Sequence, residues 1–383
     1  MTTTVDSADI TVSCSKREAS GPTRQPLSNR KVRLSRFAII RPQGANFVLE
    51  SALGGEAFVL RSPAIFSLLQ KFGNPVDVSA LVSSLPEAQR SAISELIERC
   101  RKANLLVNCE DDGTAEEDKN SLAHWEWHDL AFHTASRMGR NRSPIGANWR
   151  LRGVVAAEPT IGVYDRIANI PLARYDPNGQ DWTEIPLQQV LEQRRSLYSF
   201  QPLTIEALGA FLYRTCRVTA QTGSAGEATL RKVHPSGGSL HPLEIYVIAA
   251  DCYGLNPGLY HYQASKHALS AIRGLDRHVE EILFDARRSA AGLPKHPPIL
   301  LVVTARFRRT AWKYQSIAYR LILLEVGALY QTMYLVATAM NLAPCALGCG
   351  NSELFSTLVN TDYFMETSVG EFMLASQAAE AQP

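Results

Sequence analysis

The sequence predicts an α+β chain in two units: a small helix-and-strand unit, then a larger mixed sheet wrapped by helices. Three observations carry that expectation. At 383 residues the chain exceeds what one ordinary core organises. An acidic, apolar-poor stretch, EDDGTAEEDKN at 110–120, separates two differently patterned regions. Beyond residue 185, strand-like and helix-like runs alternate, as a sheet wrapped by helices requires.

Residues 1–34 are polar and lack the apolar core of a signal peptide, so a flexible tail is expected. From 35 to 109 the elements suit a winged-helix-like domain. Phe37–Ile40 and Phe47–Leu49 are β-rich, with Pro42-Gln43-Gly44 supplying a turn. Gly54-Gly55 precedes the apolar run Ala57–Leu60. Ser62-Pro63 reads as an N-cap and first helical position, opening a helix through Phe72 that Gly73 stops. Ile93, Leu96, Ile97 and Cys100 share one face of a helix from Glu87, and Leu105–Val107 is a closing strand. With no histidine between 36 and 108, this region suits peptide recognition rather than catalysis.

Residues 110–184 read as linker and connecting segment. Within them His124 and His128 fall four apart in a presumptive helix over 124–140, but Glu126 is displaced from the general-base position of H-E-x-x-H. Packed histidines are the expectation, and no metal site is assigned.

In the larger unit, Pro186–Arg194 is a helix with Leu187, Val190 and Leu191 on one face, and Ile205–Arg214 is a second. Leu243–Ala249, Gly258–Tyr262 and Ile299–Thr304 are strands, the last nearly all apolar as befits a sheet centre. Ile317–Met340 is a long helix. Its stretch from Leu321 to Met340 is long enough for a membrane, but Glu325 and Gln331 would cost several kcal/mol in lipid on the order of insertion scales. A helix buried in a core or subunit interface is expected instead. A net charge of +2 argues against nucleic-acid binding, and seven cysteines without a C-x-x-C pair suit reduced thiols in a cytoplasm.

Three separated elements suit a phosphate-bearing planar cofactor. Arg194-Arg195-Ser196 offers two guanidiniums and a hydroxyl to a dianion. Pro235-Ser-Gly-Gly-Ser-Leu-His-Pro242 has the small residues that let a flat ring lie against backbone N–H groups. Ala346-Leu-Gly-Cys-Gly350 permits similar close approach.

In this order, with GLYHY (258–262), WKY (312–314) and YRLILLEVGALYQ (319–331), these elements resemble the nitroreductase family and its azoline-dehydrogenase branch over residues 185–376. The stretch WEWHDLAFHTASRMGR and the region before it resemble what the peptide dehydrogenases carry ahead of the catalytic domain. The resemblance implies an FMN domain of nitroreductase type, working as a homodimer with each site lined by both subunits. It implies phosphate contacts from Arg194, Arg195 and Ser196, a ring flanked by Ser236, Gly237 and Gly238, and a pyrimidine side reached by Gly348, Cys349 and Gly350. Lys313 and Tyr314 match the branch's proposed catalytic base. Oxidising a thiazoline or oxazoline removes a proton and a hydride from adjacent ring carbons, and a lysine serves as base only if its surroundings favour the neutral amine. Arg306, Arg308 and Arg309 are expected to help. The implied substrate is a modified precursor peptide, in company with a cyclodehydratase. Other readings are a carrier-bound substrate, an NAD(P)H nitroreductase, or a non-catalytic peptide-binding scaffold, since Tyr198 replaces an arginine and no basic residue follows Glu371.

Overall fold

The computed structural model describes residues 10–13, 31–61, 64–119, 121–164, 170–174, 185–199, 201–223, 228–290 and 293–377. The expected Ser62-Pro63 cap and most of the expected tail lie outside these. The chain divides into two compact units, 1–145 and 146–383.

The first unit runs β1 (Ile10–Ser13), β2 (Lys31–Leu34), β3 (Ala38–Gln43), β4 (Asn46–Ser51), β5 (Ala57–Leu60), α1 (Ala64–Lys71), β6 (Val76–Asp77), α2 (Val78–Ser83), α3 (Glu87–Lys102), β7 (Leu106–Cys109) and α4 (Trp127–Ala135). It holds an antiparallel sheet of order β1-β5-β4-β3 and a smaller one of order β6-β2-β7. Ile93, Ile97 and Cys100 of α3 are buried in a core with Val32, Phe58 and Phe72, as their spacing predicts.

Two sequence expectations change here. The acidic stretch is folded onto this unit rather than linking it to the next. Glu116–Asp118 form a 3-10 turn, and the buried Glu117 carboxylate accepts from Ser35 Oγ (2.7 Å) and Arg36 N (2.9 Å), with Arg33 at 3.1 Å. Average polarity suggested a solvated loop, but one acid with three donors anchors the segment. The helix expected over 124–140 is confined to α4, so His124 precedes it and shares no helix face with His128, and both histidines are exposed rather than packed in a helix as expected. Instead Trp125 lies against His124 and His133, with ring centroids 5.8 and 5.6 Å away.

The second unit runs β8 (Gly146–Ala147), β9 (Ile170–Pro171), α5 (Leu187–Gln193), β10 (Leu203–Thr204), α6 (Ile205–Cys216), β11 (Val218–Thr222), β12 (Thr229–Lys232), β13 (Leu243–Ala249), β14 (Cys252–Tyr253), β15 (Gly258–Gln263), β16 (Ala268–Gly274), α7 (Arg277–Ser289), β17 (Ile299–Arg306), α8 (Phe307–Ala311), β18 (Tyr314–Gln315), α9 (Ala318–Ala339), β19 (Leu342–Leu347), α10 (Ser352–Val359) and β20 (Glu366–Ser376). Seven strands form one sheet of order β19-β20-β17-β13-β15-β16-β9. All their pairings are antiparallel, and the parallel pairing among the described residues joins β10 to β14.

Strand periodicity builds the layers. Ile245, Val247, Leu301 and Val303 point into a core shared with α6 and α9, while Tyr246, Ile248, Leu300 and Val302 point into one shared with α7 and α10. Because both faces are covered, β17 is buried at all eight residues, which explains its unbroken apolar run. Helix α9 buries one stripe, Ile322, Val326, Leu329, Met333 and Ala337, and leaves Tyr319, Leu323 and Leu324 exposed. It is long and apolar enough to cross a membrane, but that stripe packs in the core beneath the sheet. The six described cysteines are free thiols.

Charge is buried at the sheet as well. Arg306 Nε lies 3.1 Å from Glu244, whose other oxygen faces His261 Nε2 at 3.4 Å. Burial alone would raise the Glu244 carboxyl, but His261 and Arg306, with Lys232, outweigh it and hold the group at about 2. A carboxyl depressed in the folded state stabilises fully above its unfolded value near 4.5 and loses that contribution as pH falls toward 2. Urea titrations are therefore expected to show this unit losing about 3 kcal/mol between pH 5 and 2 through this group. Glu244→Gln should start less stable at neutral pH and show a correspondingly flatter acid limb; an unchanged limb would remove Glu244 from the account.

Candidate functional site

The small-residue segment before β13 is a strained turn. Gly237–Ser239 form a 3-10 turn in which Gly238 has φ 65°, and Ser239 and His241 also have positive φ, 56° and 45°. Such backbone is sparsely populated by residues with side chains and persists only where its surroundings hold it. A methyl group on Gly238 would lie 2.6 Å from Tyr314 Oη and 2.9 Å from Lys313 Nζ. Two motifs 75 positions apart therefore converge, with an amine and a phenol aimed at one point over the turn. On the other side a Cβ at Gly237 would press on Leu321 of α9 at 3.2 Å.

Behind the turn stands Glu325, one helical turn beyond Leu321. Ser236 Oγ donates to Glu325 Oε2 and accepts from His241 N at 2.9 Å. The second carboxylate oxygen, Oε1, faces His234 Nε2 at 3.5 Å and His241 Nδ1 at 3.4 Å. All three residues are at most 4% exposed. Burial would raise Glu325, but His234, His241 and Ser236 together outweigh it and hold the carboxyl at about 2. Burial keeps the His241 imidazole below its usual range despite the carboxylate beside it.

A strap formed by residues 146–164 holds Lys313 and Tyr314. Strand β8 pairs with β18, setting Tyr314 opposite Ala147, and Trp149 N donates to Lys313 O at 3.1 Å. Lys313 Nζ lies 5.0 Å from the Trp149 ring centroid, the Arg152 guanidinium lies 4.6 Å from the same ring, and Trp312 meets it edge-on. Trp149 has φ 55°, an outlier for a bulky residue. The three nearby arginines serve the strap. Arg306 donates to Pro159 O and Thr160 O, Arg308 pairs with Glu158, and Arg309 donates to Leu240 O, Glu158 O and Ala228 O. The expectation that they act on Lys313 directly is replaced by one in which they fix the backbone around it; Arg152 is the cation that shares its aromatic neighbour.

Arg194, Arg195 and Ser196 follow α5 and meet α9 near its other end. Ser196 Oγ hydrogen-bonds Tyr334 Oη (2.8 Å), which also accepts from Ala346 N (2.8 Å), and Arg194 lies 5.3 Å from the Tyr334 ring. Arg195 is exposed, its described hydrogen bond a long one to Gln193 O (3.4 Å). Tyr198 is exposed too. The glycines at 348 and 350 behave differently from each other. Gly348 has open space, whereas a Cβ on Gly350 would collide with the buried Glu371 carboxylate, which burial raises. Cys349 is exposed and its carbonyl accepts from Ser289. The described contacts thus join 236–238 to 313–314, and 194–196 to 346, but tie 349–350 to α7 and Glu371. Sequence reasoning missed His234, His241, Trp149 and Tyr334, and met Glu325 only as a charge too costly for lipid; the histidines bracketing the glycine turn were the available signal.

Comparison with known proteins adds a lineage. The family model of the cyanobactin oxidase ThcOx matches residues 32–142, and that of the nitroreductase family matches 191–371. A provisionally named nitroreductase of Methanocaldococcus jannaschii is 34% identical over 170 residues, 44% of this chain and 81% of that protein. The trifolitoxin-processing protein TfxB of Rhizobium leguminosarum bv. trifolii is 26% identical, covering 38% of this chain and 39% of its own. The microcin B17-processing protein McbC of Escherichia coli is 28% identical, covering 31% of this chain and 44% of its own. The match therefore spans less than half the length of either peptide-processing relative.

The site makes a steric prediction. Gly238→Ala is expected to fold with a loss of about 1–2 kcal/mol, since the left-handed backbone penalty is modest and the colliding atoms end movable side chains. It should displace Lys313, changing the rate at which an amine-directed reagent modifies that residue, read by peptide mass spectrometry. Unaltered labelling would mean the turn and the amine are not in contact.

Proposed function

Because this chain belongs to the nitroreductase family, we propose that it is an FMN-dependent oxidoreductase that dehydrogenates thiazoline or oxazoline rings in a modified precursor peptide to the aromatic azoles. The observation that carries the reading is the convergence of Lys313 Nζ and Tyr314 Oη on Gly238. Similarity to two peptide-toxin processing proteins supports the substrate class.

The residues fit a flavin on two counts. Gly237 and Gly238 add no side chain of their own to the turn, and what stands over Gly238 are the ends of two long side chains, Lys313 and Tyr314, which swing aside as a planar ring approaches the backbone. Arg195 has no carboxylate partner among the described contacts, which leaves its guanidinium for a phosphate. On this reading Arg194, Arg195 and Ser196 hold the phosphate, Ser236 to Gly238 flank the ring, and Gly348 to Gly350 offer backbone groups to its pyrimidine side. FMN, when bound, supplies the hydride acceptor. Lys313 takes the proton from the adjacent ring carbon, and Tyr314 holds a hydrogen bond at the same point. Trp149 and the strap keep the amine in register.

The first unit, matched by the cyanobactin oxidase model, is proposed to receive the unmodified leader of the peptide at the free edge of β3, where Ile40 is exposed. A cyclodehydratase that forms the azoline would act before this protein, in the cytoplasm.

In an assay that follows loss of two hydrogens per ring by mass spectrometry, Lys313→Ala should retain FMN and lose about 10²–10⁴ in rate. Arg195→Ala should retain FMN roughly ten- to a hundred-fold less tightly, from a charge-assisted bond worth about 1.5–3 kcal/mol. A peptide stripped of its leader should raise KM with flavin content unchanged. Full turnover by FMN-loaded Lys313→Ala would sink the mechanism, and a nitroaromatic reductase activity indifferent to Lys313 would put a plain nitroreductase in its place.

The active form is proposed to be a two-fold homodimer. Leu187 and Leu191 on α5 are 65% and 47% exposed, and Tyr319, Leu323 and Leu324 on α9 are 46%, 37% and 59% exposed. A second copy covers such a surface economically. Sedimentation of the flavin-loaded protein should give twice the chain mass at micromolar concentration, and Leu324→Asp should shift it toward monomer; a monomeric wild type defeats the proposal.

A further inference from the structure

We propose that His234, His241 and Glu325 bind a divalent transition-metal cation behind the Ser236–Gly238 turn. The inference does not rest on the flavin reading. His234 Nε2, His241 Nδ1 and Glu325 Oε1 lie within 4.8 Å of one another, and all three residues are buried. None of these three atoms makes a hydrogen bond, although each is out of reach of solvent. Orphaned polar atoms are rare in native interiors, and three aimed at one point ask for a common partner.

The spacing suits a cation. Glu325 Oε1 stands 3.5 Å from one nitrogen and 3.4 Å from the other. Ligands bound at about 2.0–2.1 Å in tetrahedral geometry sit roughly 3.3–3.4 Å apart. The second nitrogen of His234, Nδ1, lies 3.5 Å from Thr215 O, a backbone carbonyl of the kind that orients a metal-bound imidazole. Ser236 steadies the other carboxylate oxygen, the position of an outer-shell partner. Two imidazoles and one carboxylate suit zinc, cobalt(II) or iron(II), with a water completing the set. The cation would pin β12, the glycine turn and α9 together.

The test uses the full-length protein. Chelator-treated wild type is titrated with Co2+, following bound metal by mass spectrometry and the visible difference spectrum. One equivalent bound at micromolar concentration, with the intense bands of four-coordinate cobalt, is expected. Glu325→Gln and His241→Ala should each bind at least tenfold more weakly. Since either variant could unfold, the wild type supplies a second measurement: its melting temperature should fall on chelation and recover with Zn2+. The double variant His128→Ala, His133→Ala, which removes exposed histidines of the first unit, should keep the bands. Absence of stoichiometric uptake, a melting temperature indifferent to chelator, or bands that vanish with His128 and His133 would overturn the proposal.

Discussion

An ionised carboxylate in a dry interior is tolerated only where its neighbours compensate it, and Glu325 imposes that condition on everything around the glycine turn. The idealised cost of burying such a charge is of order 20 kcal/mol before relaxation. Two imidazoles and a serine hydroxyl surround this one, and all three belong to a single nine-residue stretch, His234 to Pro242. Their compensation works only if that stretch takes one path across α9. The positive φ at Gly238, Ser239 and His241 is the strain this path demands. Gly237 then lies against Leu321, one turn before Glu325, and Gly238 is turned outward to Lys313 and Tyr314. The conformation of the turn is thus set from inside the protein, and its outer face meets only the ends of Lys313 and Tyr314.

The second constraint is the strap. Lys313 sits between α8 and β18 and Tyr314 opens β18, both short elements and neither long enough to hold a side chain by itself. Backbone pairing to β8, the indole of Trp312 donating to Val155 O, and three arginines bonded to strap carbonyls and Glu158 supply the missing rigidity. Arg309 also reaches Leu240 O, so the turn and the strap share a guanidinium. This explains why the basic cluster at 306–309 is dense: its charge is taken up by the Glu158 and Glu244 carboxylates and by backbone oxygens. The lysine amine is left facing an aromatic ring, an attraction of about 0.5–1 kcal/mol at partly exposed sites, weak enough for the amine to move.

Much of this was legible in the sequence where periodicity or chain-local chemistry carries the signal. The strand Leu243–Ala249 appears at the expected residues, and the bundle of motifs RRS, SGG and WKY marked the elements that now border α9. What failed to show depended on single long-range partners. Glu117 looks like any residue of an acidic run until Ser35 and Arg36 are beside it. The pairing direction of the seven strands cannot be read from their hydrophobicity, because a strand covered on both faces is apolar whether its neighbours are parallel or antiparallel. Trp149 and Tyr334 carry no local pattern at all; each matters because of a residue more than a hundred positions away. Gly350 fits a glycine for close approach, but the group that approaches is the Glu371 carboxylate.

Helix α9 relates these pieces and bears on how many chains a site needs. It touches the glycine turn at Leu321 and Glu325, and the Arg194–Ser196 element at Tyr334. Those contacts are thirteen residues apart, or roughly 20 Å along the helix. The glycine turn and the Arg194–Ser196 element therefore meet opposite ends of the same rod, with the exposed residues Tyr319, Leu323 and Leu324 near one end. If two copies pair about an axis perpendicular to α9, as the homodimer proposal allows, the helices run antiparallel and the Tyr334 end of one approaches the Leu321 end of the other. Each shared site would then draw its arginines from one copy and its glycine turn, lysine and tyrosine from the second. The apolar stripe that α9 keeps for its own core and the one it leaves open would serve two different tasks: the first fixes the helix to the sheet, and the second sets how far apart the two halves of a site stand.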